Sequence, residues 1–329
     1  MFMQVRWLLQ ELADSPPAVF VINLATAGYL AARWVSRAGI ASIGILHSDD
    51  PFYEKVLQEF VMGPAGNCVS DMVCVSEFLS RETQGLQTAT TMHLIPYGVP
   101  IPGQTARAPN GTLRLIYVGR LVEEQKQILD VTRALCRVVR QVPGTEAIIY
   151  GNGPDRSRVK RCLEEEKLGD RVRLGGQIDN AQIQQVMLEA HVLVLLSDYE
   201  GLPIAMLEAM ACGLVPVSLH IRSGVGQLIE HGITGFLVAD RGDNFVATIR
   251  HIAANPVQWS RISCAARQKI VAEYSDELNA LRWAELLNAR LEQSAPAESV
   301  KRTLLRGIRT LEFLNTTLSQ KNVKTMTPA

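Results

Sequence analysis

The sequence lacks a long apolar run, an excess of charge of either sign, and a paired-cysteine motif. Its 329 residues carry 33 basic and 33 acidic side chains, and a net charge of zero does not favour electrostatic binding to nucleic acid. No apolar stretch reaches the ~18 residues of a membrane-spanning helix, and the N-terminus lacks the basic and then apolar layout of a signal peptide. These absences predict a cytoplasmic protein that does not bind nucleic acid.

The residue types that usually hold metals or form covalent intermediates are also poorly arranged. Six cysteines occur without a Cys-x-x-Cys pair, which favours buried free thiols in a reducing compartment. No histidine or cysteine cluster has zinc spacing, and Asp49-Asp50 is not an Asp-x-Asp metal motif. No Ser-His-acid or Cys-His arrangement indicates a nucleophilic site.

Strand-length apolar runs alternate with helical patterns along the whole chain, which predicts an α/β protein with parallel sheets and helical crossovers. A helix is predicted over 125–141. The predicted strands are 18–24, 40–46, 72–75, 92–95, 113–118, 146–150, 171–174, 191–196, 215–218 and 235–238.

The length suits two domains, and the segment 96–111, rich in proline and glycine, is interpreted as the linker between them. We predict a first domain over 1–103 and a second over 104–293. A final helix over 294–319 is expected to pack back on the first domain, and 320–329 is expected to be disordered.

The stretch from Ser197 to Gly213 is the most informative in the chain. A buried strand precedes it, Gly201 provides a turn, Pro203 suits the first position of a helix, and Gly213 is suited to end that helix. A helix that starts at the carboxyl end of a parallel strand points its N-terminus at a crevice, where anions bind.

Two carboxylates in this stretch have alternative interpretations. Glu208 is a lone acid in an otherwise apolar helix, and an unpaired buried charge is costly. It is therefore either paired with a cation of the fold or available for ligand hydroxyls. Glu200, at the turn, either caps the helix or faces the same ligand.

The motif Tyr-Glu-Gly-Leu-Pro…Leu-Glu-Ala-Met-Ala-Cys-Gly-Leu-Val-Pro-Val resembles the donor-site signature of the retaining GT-B glycosyltransferases of family 4. This resemblance implies two Rossmann-like, doubly wound domains facing a cleft. The first domain is expected to be incomplete, since we find neither the family's usual opening strand nor its glycine-rich loop. Glu200 would then face the transferred sugar, and Glu208 would bind the ribose hydroxyls of a nucleotide.

The same resemblance implies the reaction and its partners. A sugar would move, with retention of configuration, from a nucleoside-diphosphate sugar to a glycan, a lipid-linked sugar or a small molecule. Neither a metal nor another cofactor is expected. The alternatives are a nucleotide-sugar epimerase or a phosphorylase with the same two-domain plan, and an inactive homologue that binds nucleotide sugar without transferring it.

Arg120 and Lys126 flank the start of a helix after the strand 113–118. Two fixed cations would stabilise the negative charge that develops on a departing diphosphate. The alternative is a pair of surface cations bound to Glu123 and Glu124. The resemblance implies the first role, because the matching arginine and lysine of the family bind the diphosphate.

Glycine-rich turns follow several strands of the second half at what we predict to be the same sheet edge. Glycine lets the backbone approach a ligand closely. The resemblance implies that one of these loops contacts the nucleotide base through its backbone. The predicted donor-binding residues besides Glu208 are Gly119, Gly151, Gly153, Gly176, Gln177, Ile178, Gly201, Leu202 and Pro203.

His47 and the segment 300–318 are weaker candidates. The resemblance implies that His47, at the end of a predicted strand, bonds the transferred sugar; alternatively it caps the next helix or pairs with Asp49 or Asp50. The segment 300–318 is a basic amphipathic helix. It would either touch an anionic membrane surface, making the protein peripheral, or pack over the first domain.

Overall fold

The computed structural model describes residues 1–293 and 295–324, which form two compact units. The first unit comprises Met1–Val75, Leu79–Ile95 and the described residues from Leu281 onward, and the second comprises Ser76–Phe78 and Pro96–Ala280. The observed division at Ile95 precedes the predicted boundary at residue 103, and the chain rejoins the first unit at Leu281. Residues 294 and 325–329 lie outside the described residues.

The first unit is built on a parallel sheet of four short strands in the order β1-β2-β3-β4. Strand β3 is buried along its whole length, as expected where helices cover both faces of a parallel sheet. The elements up to the end of this sheet are α1 Phe2–Asp14, β1 Val19–Ile22, α2 Thr26–Arg37, β2 Ala41–Leu46, α3 Pro51–Phe60, β3 Asp71–Cys74, α4 Glu77–Glu82 and β4 Thr91–Leu94.

The second unit holds a six-stranded parallel sheet in the order β10-β9-β8-β5-β6-β7. The chain therefore winds outward in both directions from β5 and β8, and the crevice between such strands is where doubly wound folds bind ligands. Its elements are β5 Leu113–Val118, α5 Glu123–Lys126, α6 Ile128–Gln141, β6 Thr145–Tyr150, α7 Arg156–Glu166, β7 Val172–Gly176, α8 Ile183–Leu188, β8 Val192–Leu195, α9 Ile204–Ala211, β9 Val215–Leu219, α10 Val225–Leu228, β10 Phe236–Val238, α11 Asp243–Ala254 and α12 Pro256–Glu273.

Two further helices complete the chain, α13 over Asp276–Leu291 and α14 over Ala297–Lys324. Helix α14 packs on α1 and α2 of the first unit through a shared apolar cluster that includes Leu304 and Ile308. Gly307 lets the helices approach closely, since a Cβ there would lie 2.3 Å from the Trp34 ring. Helix α14 extends to Lys324, beyond the predicted helix end at 319; of the tail predicted to be disordered over 320–329, residues 325–329 lie outside the described residues.

The predicted helix over 125–141 is wrong at its start. The structure has two helices, α5 and α6, separated by Gln127 in the left-handed conformation (φ 48°, ψ 46°). Glutamine carries no preference for that conformation, so the break has no signature in the sequence. None of the helices in the described part of the chain combines the length and apolar character that a membrane span needs.

Candidate active site

Most predicted residues of the second half lie at the carboxyl ends of β5, β6, β7 and β8, and the sheet winds in both directions from β5 and β8. Gly119 and Arg120 follow β5 directly, and the segment Ser197–Glu200 follows β8. These two strands are hydrogen-bonded neighbours. Residues distant in sequence are therefore brought to the edge of the sheet at which doubly wound folds bind ligands.

Lys126 and Glu200 form an ion pair that is largely buried, with side chains 13% and 8% exposed. Lys126 is therefore not a surface cation bound to Glu123 or Glu124, and Glu200 is bound to a cation rather than capping α9. The buried hydroxyl of Tyr117 lies within electrostatic reach of this pair. Burial and the Glu200 charge raise the pKa of Tyr117, while Arg120 opposes the increase.

Arg120 is exposed, and its backbone and side chain are both held by neighbours. Its Nη2 donates to Oε1 of Gln125 (3.0 Å), and its carbonyl accepts from the Tyr117 hydroxyl (2.9 Å). Gln125 in turn donates through Nε2 to the carbonyl of Tyr199 (3.0 Å). Gln125 was not predicted from the sequence as a site residue, because a glutamine before a lysine carries no recognisable signal.

Glu208 is the fifth residue of α9, and its side chain is half-buried. Burial raises the pKa of this carboxyl. Among the side chains described, those of residues 1–293 and 295–312, no cation pairs with Glu208 and no side-chain donor forms a hydrogen bond to it. The ion-pair alternative is therefore not supported, and the carboxylate remains available for a ligand donor.

A cavity of about 340 Å³ opens beside Arg120. Gly151 is required there, because its φ is +144° and a Cβ would lie 1.9 Å from the carbonyl oxygen of Gly119. Nδ2 of Asn152 donates a hydrogen bond to Oε1 of Gln177 (3.2 Å). The cavity is lined by Val118, Gly119, Arg120, Tyr150, Gly151, Asn152, Gln177, Ile178, Asn180 and Ile183.

Five of these lining residues were predicted from the sequence, and two more predicted glycines support the same loops. Gly153 packs against Leu121, since a Cβ would lie 2.3 Å from that residue's carbonyl oxygen. Gly176 ends β7, and its carbonyl accepts from the Gly151 amide (2.8 Å). Sequence reasoning missed Tyr150, Asn152 and Asn180, whose residue types are common in plain turns.

The turn before α9 is buried. The carbonyl of Gly201 accepts from the Gly224 amide (2.8 Å), and Leu202 and Pro203 are buried beside it. Pro203 is the residue that precedes α9 rather than its first residue, a shift of one position within the usual uncertainty of helix ends. Gly213 follows the helix in the left-handed conformation, as predicted.

His47 belongs to the first unit, where its Nε2 lies 2.7 Å from Oδ1 of Asn23. Burial lowers the pKa of His47, which favours the neutral ring. Asp50, a predicted alternative partner of His47, caps α3 by accepting from the backbone amides of Phe52 (2.9 Å) and Tyr53 (3.2 Å).

In the described residues, no group of three or more His, Cys, Asp or Glu side chains is arranged so that it could hold a metal ion. The six cysteines are free thiols, of which Cys264 is exposed and the other five are buried.

Two curated proteins similar in sequence to this chain are glycosyltransferases. The amylovoran biosynthesis glycosyltransferase AmsK of Erwinia amylovora is 33% identical over 184 residues, which cover 53% of this chain and 44% of that protein. The putative colanic acid biosynthesis glycosyltransferase WcaL of Salmonella typhimurium is 27% identical over 304 residues, covering 82% of this chain and 70% of that protein. The chain thus matches less than half of the first relative's length.

The crystal structure of Anabaena Alr3699/HepE in complex with UDP and glucose superposes with a TM-score of 0.72 at 18% identity, covering 86% of this chain and 80% of that one. This likeness confirms the predicted α/β fold with parallel sheets of the GT-B glycosyltransferases. The family described as "Glycosyl transferases group 1" matches residues 104–269, just over half of the chain. The chain therefore belongs to the glycosyl transferases group 1 family.

Proposed function

We propose that the protein is a glycosyltransferase that moves a sugar, with retention of configuration, from a nucleoside-diphosphate sugar to an acceptor hydroxyl. The observation that carries this proposal is the gathering of Arg120 with the Lys126–Glu200 pair at the ends of β5 and β8. The names of the two relatives support the reaction, and the UDP and glucose of the Anabaena structure support the donor class.

The donor is assigned to groups of the second unit by their chemistry. The cavity beside Arg120 takes the nucleoside, with Glu208 accepting from the ribose hydroxyls. Arg120 and Lys126 bind the diphosphate through charge-assisted hydrogen bonds, each contributing about 1.5–3 kcal/mol. Glu200, which pairs with Lys126 in the free protein, then accepts from hydroxyls of the sugar ring.

The transfer step follows from this placement. The bond between the anomeric carbon and the β-phosphate oxygen breaks, and the acceptor hydroxyl oxygen bonds the same carbon on the same face. The acceptor proton passes to the departing phosphate oxygen, so no protein nucleophile is needed. Arg120 and Lys126 stabilise the negative charge that grows on the diphosphate as the bond breaks. This scheme proposes catalysis without a metal.

The acceptor side of the proposal involves the first unit. His47 is assigned to a hydroxyl of the transferred sugar, for which its neutral ring can donate or accept. The acceptor is proposed to be a glycan or a lipid-linked sugar. Peripheral membrane contact through 300–318, by an otherwise cytoplasmic protein, is supported by Arg302, Arg306 and Arg309, which α14 exposes at helical spacing.

A panel of nucleotide sugars tests the function directly. We expect one nucleoside diphosphate among UDP, GDP, ADP and dTDP to bind the full chain in isothermal titration, and its sugar conjugate to release that diphosphate on incubation. Binding without transfer to any acceptor or to water would favour the inactive homologue. Conversion of the sugar to its epimer without an acceptor would favour the epimerase, and the absence of all binding would contradict the proposal.

The substitution Glu208→Gln is expected to stabilise the free protein while weakening nucleotide binding. Because burial raises the pKa of Glu208 in the fold, its charged form is disfavoured there, and stability falls as pH rises through that raised value. The neutral amide removes this cost, so the unfolding temperature at pH 7 rises. Loss of a charged acceptor for the ribose hydroxyls should weaken nucleoside-diphosphate binding about tenfold or more.

Thermal unfolding across pH and isothermal titration measure both effects of that substitution. Glu164→Gln is the matched control, since Glu164 is 65% exposed on α7 and makes a surface pair with Lys160. An unchanged nucleotide affinity in Glu208→Gln would contradict the ribose assignment.

A further inference from the structure

At the corner between α5 and α6, the backbone of Gln127 has a conformation that residues other than glycine rarely adopt. Gln127 lies at φ 48° and ψ 46°, the left-handed region in which a side chain is usually strained. Two other non-glycine residues of the described chain, Leu24 and Lys167, share a positive φ. Of the three, Gln127 is the one adjacent to a residue assigned to the diphosphate.

The Gln127 side chain reaches the segment that leads to Glu200. Its Nε2 donates to Oδ2 of Asp198 (2.8 Å), while the other carboxylate oxygen of Asp198 pairs with Arg241. Arg241 also donates through Nε to the carbonyl of Leu196 (2.9 Å). The end of β8 is thus held from both sides.

Three consecutive residues at this corner bind three consecutive residues after β8. The backbone carbonyl of Gln125 accepts from the Asp198 amide (3.0 Å), and its side chain donates to the carbonyl of Tyr199. Lys126 pairs with Glu200, and the side chain of Gln127 donates to Asp198. The left-handed turn at Gln127 allows the residues on both sides of Lys126 to face the same segment. A glycine would adopt this backbone without strain, but it could not bind Asp198.

We propose that Gln127 is a positioning residue. The hydrogen bond from its side-chain amide to Asp198 holds Lys126 and Glu200 in the arrangement that receives the donor diphosphate and sugar. Gln127 itself does not touch the donor. This inference rests on the proposed function, because it assigns a role relative to the same site. Small displacements of a group that binds the reacting centre can lower a rate about a hundredfold.

The substitution Gln127→Gly separates positioning from folding. Glycine relieves the backbone strain, so the unfolding temperature should stay the same or rise, although the bond to Asp198 is lost. We expect the affinity for UDP to fall about fivefold or more and kcat for UDP release from UDP-glucose to fall about tenfold or more. Gln127→Asn, whose shorter amide tolerates the left-handed region, should give an intermediate result.

Lys167→Gly is the matched control. Lys167 ends α7 in the same conformation (φ 52°, ψ 37°), is exposed, and takes no part in the candidate site. It should show the same gain or retention of stability, with unchanged UDP affinity and kcat. Wild-type values of affinity and kcat in Gln127→Gly, or an equal loss in Lys167→Gly, would overturn the positioning role and leave the proposed function standing. Failure of the wild-type chain to bind any nucleoside diphosphate would overturn both.

Discussion

Replacing Lys126 by alanine is expected to lower kcat/KM for the nucleotide sugar about a hundred- to a thousandfold, the cost typical of removing one preorganised charge stabiliser from a transition state. The proposed role of Lys126 is strongest when the diphosphate departs, so kcat should fall along with nucleotide affinity. Steady-state release of UDP from UDP-glucose, with UDP affinity measured separately, divides the loss between the two parameters.

The Lys126–Glu200 pair requires a control for folding. Lys126→Ala leaves the largely buried Glu200 carboxylate without its cation, which destabilises a fold by itself. The double variant Lys126→Ala with Glu200→Gln removes both charges and should recover most of the lost stability but none of the turnover. Lys160→Ala, at an exposed surface pair, should change neither quantity. Unchanged binding and turnover in Lys126→Ala would contradict the diphosphate assignment.

Much of the second unit could be predicted because its strands are read from short apolar runs, and parallel strands place their carboxyl ends at one edge. That rule was enough to bring Gly119, Arg120, Gly151 and Gln177 to one cavity. Gly213 was predicted from its residue type alone, because glycine is the usual residue for the left-handed turn that ends a helix.

The contacts that hold the site could not be predicted, because they join segments through residue types with no fixed preference. Nothing in the sequence indicates that Gln127 turns left-handed, that Gln125 bridges Arg120 to Tyr199, or that Lys126 chooses Glu200 over its acidic neighbours. These choices are made by tertiary packing, which overrides local propensity.

A return of the chain to the first unit was predicted for a helix over 294–319, but its earlier start at Leu281 was hidden, and a buried carboxylate of that unit binds α13. Asp71, at the start of β3, is fully buried and accepts two bonds from Arg290 of α13, Oδ2 from Nε (2.8 Å) and Oδ1 from Nη2 (2.6 Å). His93 of β4 adds a third contact, with Nε2 lying 2.7 Å from Oδ1. The bond to Asp71 raises the pKa of Arg290. The three residues tie α13 to the sheet of the first unit.

Asp71→Ala is expected to cost the first unit about 3–5 kcal/mol of unfolding free energy, since it leaves the Arg290 charge without its partner in a buried site. Urea unfolding followed by tryptophan fluorescence suits this measurement, because Trp7, Trp34 and Trp283 all lie in the first unit. Asp130→Ala, which breaks an exposed pair with Arg133 on α6, should cost less than about 1 kcal/mol. The double variant Asp71→Leu with Arg290→Leu should be more stable than Asp71→Ala, because two apolar side chains leave no buried charge behind. If Asp71→Ala lowers the free energy of unfolding no more than Asp130→Ala does, the contacts of Asp71 with Arg290 and His93 do not hold α13 to the sheet.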